Sequence, residues 1–119
     1  MESMATYSLI SDQISLSPLD VHLLVSLLDG RSNGYDLTRS CEIRMARTTP
    51  LNTSNIYKSL KSMQKLMLVA SVASKSADRR QKTIYRISSL GRMVLEQEIA
   101  EQARFVGIAQ ALLGETKKN

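Results

Sequence analysis

Four small polar residues, Asn52, Thr53, Ser54 and Asn55, stand at the head of a stretch in which lysines recur at positions 58, 61 and 65. Residues three and four apart share one face of a helix. Hydroxyls and amides in the first turn of such a helix can reach base edges or phosphates, and lysines along the same face can neutralise the backbone of a nucleic acid. Thr53, Ser54, Asn55, Lys58 and Lys61 are therefore candidate DNA contacts. Asn52 is read as the helix cap, and Lys65 lies further from the entrance. A second basic group, Lys75, Arg79, Arg80 and Lys82, falls between two short apolar runs. It suits phosphate contacts, which position a protein on a duplex without specifying sequence.

No competing chemistry is assembled. Cys41 is the sole cysteine, so it can form neither an internal disulfide nor a metal cluster. It reads as a packed small hydrophobe. His22, the sole histidine, stands on an apolar helix and reads as structural. Glu96, Glu98 and Glu101 lie among Arg92 and Arg104 and read as solvated or cross-dimer partners, not catalytic carboxylates. Nothing resembles a catalytic triad, a phosphate loop or a metal site, so no enzyme, cofactor or metal is expected.

Charge follows the same division. The chain has 119 residues and a net charge of +5. Residues 39–86 hold eleven Lys or Arg against two acids, a balance of +9, while the rest carries −4. Such concentration fits a polyanionic partner. With 43% hydrophobic residues the chain is globular, and its length suits one domain. There is no Trp and one Phe, so Leu, Ile, Val, Met and Ala must build the core. The N-terminus has no signal-peptide pattern, and no stretch approaches the ~20 apolar residues of a membrane span. The expected location is cytoplasmic, with no membrane partner.

The elements that must position the basic residues can be read in order. Ser17-Pro18-Leu19-Asp20 opens a helix by capping, a first-turn proline and a first-turn acid. Leu19, Leu23 and Leu27 share a face, with Leu24 and Leu28 beside them, and Gly30 stops it. Asn33-Gly34 suggests a tight turn, followed by a helix over residues 35–45 whose apolar positions are Leu37, Cys41 and Met45. After Thr48-Thr49-Pro50-Leu51 comes the helix of residues 53–67. Its expected buried stripe is Ile56, Leu60, Met63 and Met67, opposite Ser54, Lys58, Lys61 and Lys65. Residues 68–73 and 83–87 read as two strands flanking the basic turn, a β-hairpin. Ser88 or Ser89 caps a long last helix over residues 90–113, where Leu95, Ile99, Gln102, Val106, Ala109 and Leu113 recur at near four-three spacing. A helix of about 24 residues is about 36 Å long and overhangs so small a domain, so a second copy is the expected cover.

The fold class expected is mainly α (α+β): a winged helix-turn-helix with a β-hairpin wing and a long C-terminal dimerisation helix. Residues 1–16 form an N-terminal arm, 17–88 the DNA-binding domain, 89–113 the dimerisation helix and 114–119 a tail.

Several residue groups in this order resemble one family. Gly34-Tyr35-Asp36-Leu37, then Asn55-Ile56-Tyr57 through Leu60 to Leu68-Val69, then Thr83-Ile84-Tyr85-Arg86-Ile87-Ser88 with Leu90-Gly91, are similar to the PadR family of bacterial transcriptional regulators. The resemblance covers about residues 16–113 and points to its shorter subgroup, with a single C-terminal helix. It implies a winged helix-turn-helix homodimer joined through C-terminal helices, and it adds Tyr57 to the DNA contacts. Family members often repress genes and release DNA on binding a small, frequently aromatic, compound. Met67 stands where the family usually has a glycine. The function expected is that of a repressor binding a palindromic operator in double-stranded DNA. The alternative is a winged-helix adaptor for another protein, which would not need the basic face.

Overall fold

The computed structural model describes residues 14–45, 51–75 and 81–118. Their order is α1 (Pro18–Leu27), β1 (Ser32–Asn33), α2 (Gly34–Arg44), α3 (Thr53–Lys65), β2 (Val69–Lys75), β3 (Gln81–Ile87) and α4 (Ser89–Lys118). The three strands form one antiparallel sheet in the order β1-β3-β2. This is the expected winged helix-turn-helix with a long C-terminal helix. Among the described residues no helix is long and apolar enough to cross a membrane.

α1 starts at a capping box. Ser17 Oγ accepts from the Asp20 amide at 3.1 Å, and the Asp20 carboxylate accepts from the Ser17 amide at 3.0 Å. Two first-turn amides that lack helical partners are thereby satisfied. The helix ends after Leu27, and Gly30 takes φ +129, a region that L side chains rarely adopt. Leu23, Leu24 and Leu27 are buried, whereas Leu28 is turned to solvent because it lies beyond the last helical turn.

Asn33-Gly34 is not a free turn. Ser32 and Asn33 pair with Tyr85 and Ile84 as a third strand, and Asn33 then caps α2 by accepting from the Asp36 amide at 2.8 Å. Two residues give no periodicity, so this strand leaves no trace in the sequence pattern. Leu37 and Cys41 are buried on α2. Burial pushes the Cys41 thiol up, so it stays protonated and packs with Ser26, 3.4 Å away. At the far side of residues 46–50, the Leu51 amide donates to Glu42 Oε2 at 3.1 Å.

The core joins Leu23, Leu24 and Leu27 to Leu37 and Cys41, to Ile56, Leu60 and Met63, and to Leu68, Val69, Tyr85, Val94 and Leu95. Each large side chain removed from water contributes about 1.5–3 kcal/mol against the entropy of ordering the chain. The stripe expected on α3 needs one correction: Met67 is 72% exposed. The helix stops at Lys65, and Met67 takes φ 63. Leu68 N donates to Met63 O at 2.9 Å and Met67 N to Gln64 O at 3.0 Å, which makes the corner a Schellman motif. Its left-handed position points the Met67 side chain outward, and the apolar contact passes to Leu68 and Met63.

That corner also seats α4. Ser88 N donates to Leu68 O at 3.0 Å, Ser88 Oγ to Met67 O at 2.6 Å, and Gly91 N to Ser88 Oγ at 2.9 Å. A Cβ at Gly91 would collide with the Leu68 carbonyl oxygen. α4 then runs for 30 residues, or about 45 Å.

Candidate nucleic-acid interface

α3 presents two chemically separate faces. Ile56, Leu60 and Met63 are buried, while Thr53, Ser54, Asn55, Tyr57, Lys58, Lys61 and Lys65 are exposed. Asn52 is the cap: its Oδ1 accepts from the Ser54 amide at 2.9 Å and the Asn55 amide at 3.4 Å. The side chains of Thr53, Ser54 and Asn55 follow it at the helix entrance. None of Lys58, Lys61 and Lys65 pairs with a carboxylate: among the described residues the ion pair is Arg44 with Asp29.

Two contacts hold α3 in place. Ser59 Oγ donates to Asp20 Oδ1 at 2.7 Å, so the carboxylate that caps α1 also anchors α3. Gln64 Nε2 donates to Ser71 Oγ and ties the other end to β2. From sequence Asp20 was read only as the first-turn acid of α1 and Ser59 had no role, because a bond spanning 39 residues has no local pattern.

The hairpin continues further than expected. β2 and β3 pair from Val69↔Ile87 to Lys75↔Gln81, with Ser74↔Lys82 between. Lys75 and Lys82 therefore stand on strands at the distal end of the ladder. Arg79 and Arg80 lie outside the described residues.

Between α3, the start of α2 and β3 lies an open cleft of about 620 Å³. Its walls are Asn33, Gly34, Tyr35 and Asp36, Tyr57 of α3, and Thr83 and Tyr85 of β3. Gly34 lets the walls meet, since a Cβ there would lie 2.6 Å from Tyr57 Oη. Tyr85 is nearly buried, and burial, then the nearby Tyr57, push its hydroxyl up, keeping it neutral. At the rim, Arg39 Nη1 donates to Tyr35 Oη at 3.3 Å, and the guanidinium carbon sits 6.0 Å from the ring centre. The sequence reading gave Tyr35 and Arg39 no role in the interface. Their spacing of four fits a helix face, but only the fold brings that face beside Tyr57 and Thr83.

On α4 the expected stripe divides. Leu95 is 1% exposed and belongs to the chain's own core. Ile99, Gln102, Val106 and Leu113 are exposed and Ala109 is half-buried. Phe105, Ile108 and Leu112 form an exposed second apolar row, at 71%, 57% and 58%. Their spacing of three and four was available in the sequence but lies outside the heptad-like stripe. The inner part of the first row borders a groove with Leu16, Val21, His22 and Val25. No group of His, Cys, Asp and Glu among the described residues could hold a metal ion.

The chain matches a family model described as the transcriptional regulator PadR-like family over residues 23–97. A PadR family transcription regulator from hypervirulent Clostridium difficile superposes with TM-score 0.70 at 20% identity, covering 82% of this chain and 99% of that one. A PadR-like transcriptional regulator from Bacillus cereus gives 0.68 at 21% identity, covering 80% and 90%. Bacillus subtilis PadR in complex with operator DNA gives 0.64 at 20% identity, covering 72% of this chain and 48% of that one, so this chain spans about half its length. At these identities the structural likeness is one of fold. No curated protein matches.

Proposed function

The chain belongs to the PadR-like family of transcriptional regulators, and from that premise we propose that it is a cytoplasmic repressor that binds a palindromic operator as a homodimer. It is a regulator, not an enzyme. α3 enters the major groove, with Thr53, Ser54 and Asn55 towards base edges and Lys58 and Lys61 on the backbone. Tyr57 donates its hydroxyl to a phosphate. Lys75, Arg79, Arg80 and Lys82 of the wing reach adjacent phosphates.

One observation carries this reading: α3 buries three apolar side chains and turns to solvent, on the opposite side, three lysines that pair with no carboxylate among the described residues. A face of uncompensated charge on a helix about 12 Å across matches the width and potential of the major groove. A second winged domain, joined through Ile99, Gln102, Val106, Ala109 and Leu113, would supply the other half-site. Leu95 contributes from beneath, by holding the root of α4 in the core. The Bacillus subtilis protein, solved with operator DNA, supports the same use of the fold.

The experiment is selection from a randomised duplex library at two salt concentrations, followed by sequencing. An enriched inverted repeat, with affinity falling steeply with salt, is expected. Lys58→Ala combined with Lys61→Ala should lower affinity at least tenfold and flatten the salt dependence, with the thermal melt unchanged. Absence of duplex binding at either salt would overturn the reading.

A further inference from the structure

We propose that Tyr35 and Arg39 of α2 form a second seat for the DNA backbone, beside the recognition helix, clamping one phosphate at the mouth of the tyrosine-lined cleft. The proposal rests on the DNA-binding reading and adds a contact that reading does not contain.

The geometry begins with an exposed pair. Tyr35 is 68% exposed, although a tyrosine ring left in water forgoes much of its burial energy. Arg39 lies against it, one turn further along α2, and its Nη1 donates to Tyr35 Oη. Because the phenol oxygen is the acceptor, its own proton is free to donate elsewhere. A guanidinium has five N–H donors and one is used here. No carboxylate lies within ion-pair distance of Arg39 among the described residues. Asp36 and Glu42 act on Arg39 from beyond ion-pair distance. The pair thus presents one O–H and several N–H donors with a full positive charge. That is the complement of a phosphate diester.

The position of the pair selects the partner. Tyr35 shares the cleft with Tyr57 from α3 and Thr83 from β3, so it stands where the recognition helix and the wing converge. A duplex backbone running from the exposed face of α3 towards the wing crosses this mouth. Asp36, the acid in the cleft wall, accepts from Asn33 Nδ2 at 3.0 Å, and its amide donates to Asn33 Oδ1. It serves the helix cap.

The test uses full-length protein and a duplex carrying the repeat enriched by selection, with affinity measured by fluorescence anisotropy across a salt series. Arg39→Gln should weaken binding about threefold to tenfold and reduce the slope of log affinity against log salt by about one per protomer. Tyr35→Phe should weaken binding less and leave the slope unchanged, because it removes a hydroxyl and no charge. Neither should alter the selected sequence or the thermal melt, since both side chains are exposed. If wild-type protein binds the duplex and Arg39→Gln binds with the same affinity and slope, the seat does not exist and the α3 interface stands. If Arg39→Gln changes base preference, Arg39 reads sequence and the phosphate assignment is overturned. Wild-type protein that binds no duplex would overturn the DNA-binding reading and this seat with it.

Discussion

Met67 shows how much one residue carries. The Schellman corner after α3 needs a left-handed residue, and Met67 takes φ 63 where the family usually has a glycine. For a side chain with a Cβ this conformation costs roughly 1–2 kcal/mol. Glycine would remove the strain but lose roughly 0.5–1 kcal/mol through its freer unfolded chain. Met67→Gly should therefore raise stability by roughly 0.5–1 kcal/mol. The check is an increase in the urea midpoint at constant slope; an unchanged or lowered midpoint would show that the corner is not strained. The sequence marked this site, because a missing glycine is visible in it. It did not reveal that Met67 would point outward, because periodicity continues a stripe past the point where hydrogen bonding ends the helix. Lysine positions 58, 61 and 65 were legible for the opposite reason, since they lie within a regular helix with no local exception. The Asp20–Ser59 bond needed the tertiary arrangement, and so did the place of the Tyr35–Arg39 pair beside the cleft.

Among the elements, the helices announced themselves through caps and periodicity, with ends shifted by one or two residues, except that the last helix, expected to end at residue 113 before a tail, runs on to Lys118. Ser17 and Asn52 cap as expected, and Asn33, read as part of a turn, caps as well. β1 did not, since a strand of two residues is made by its partner β3 and not by its own composition. The junction of α4 with the 67–68 corner was equally hidden. In the sequence Gly91 enters only through the family resemblance, whereas in the fold it is the one residue small enough to let α4 lie on the Leu68 carbonyl. Gly91→Ala should destabilise the fold by roughly 1–3 kcal/mol, because the obstacle is backbone and cannot rotate away. A thermal melt that matched wild type would mean that the junction yields easily. Serine at position 88 bonds the same corner through both its amide and its hydroxyl, so junction and helix cap are one structure.

For the whole molecule, the long helix sets the question of assembly. Beyond residue 99 its side chains meet solvent almost throughout, although five of them are large and apolar. A monomer rarely leaves such a surface uncovered. Val106 stands in the middle of the expected stripe and is 48% exposed, so charge there leaves the core untouched. Val106→Asp should shift sedimentation from dimer to monomer at micromolar concentration and lower operator affinity at least tenfold, with the circular dichroism of wild type. A variant that remained dimeric with full affinity would place the subunit contact elsewhere. The seating of α4 on the corner after α3 has a mechanical meaning as well. A rod of about 45 Å pivoting at one end magnifies small angles: a tilt of about 5° at the fulcrum swings the far tip by about 4 Å. In a pair of molecules held by their rods, the reverse leverage would apply, and the angle at which the rods cross would set the distance between the two copies of α3. In the dimer proposed above, the spacing of half-sites would therefore be written in the crossing of two helices that lie outside the proposed DNA contacts.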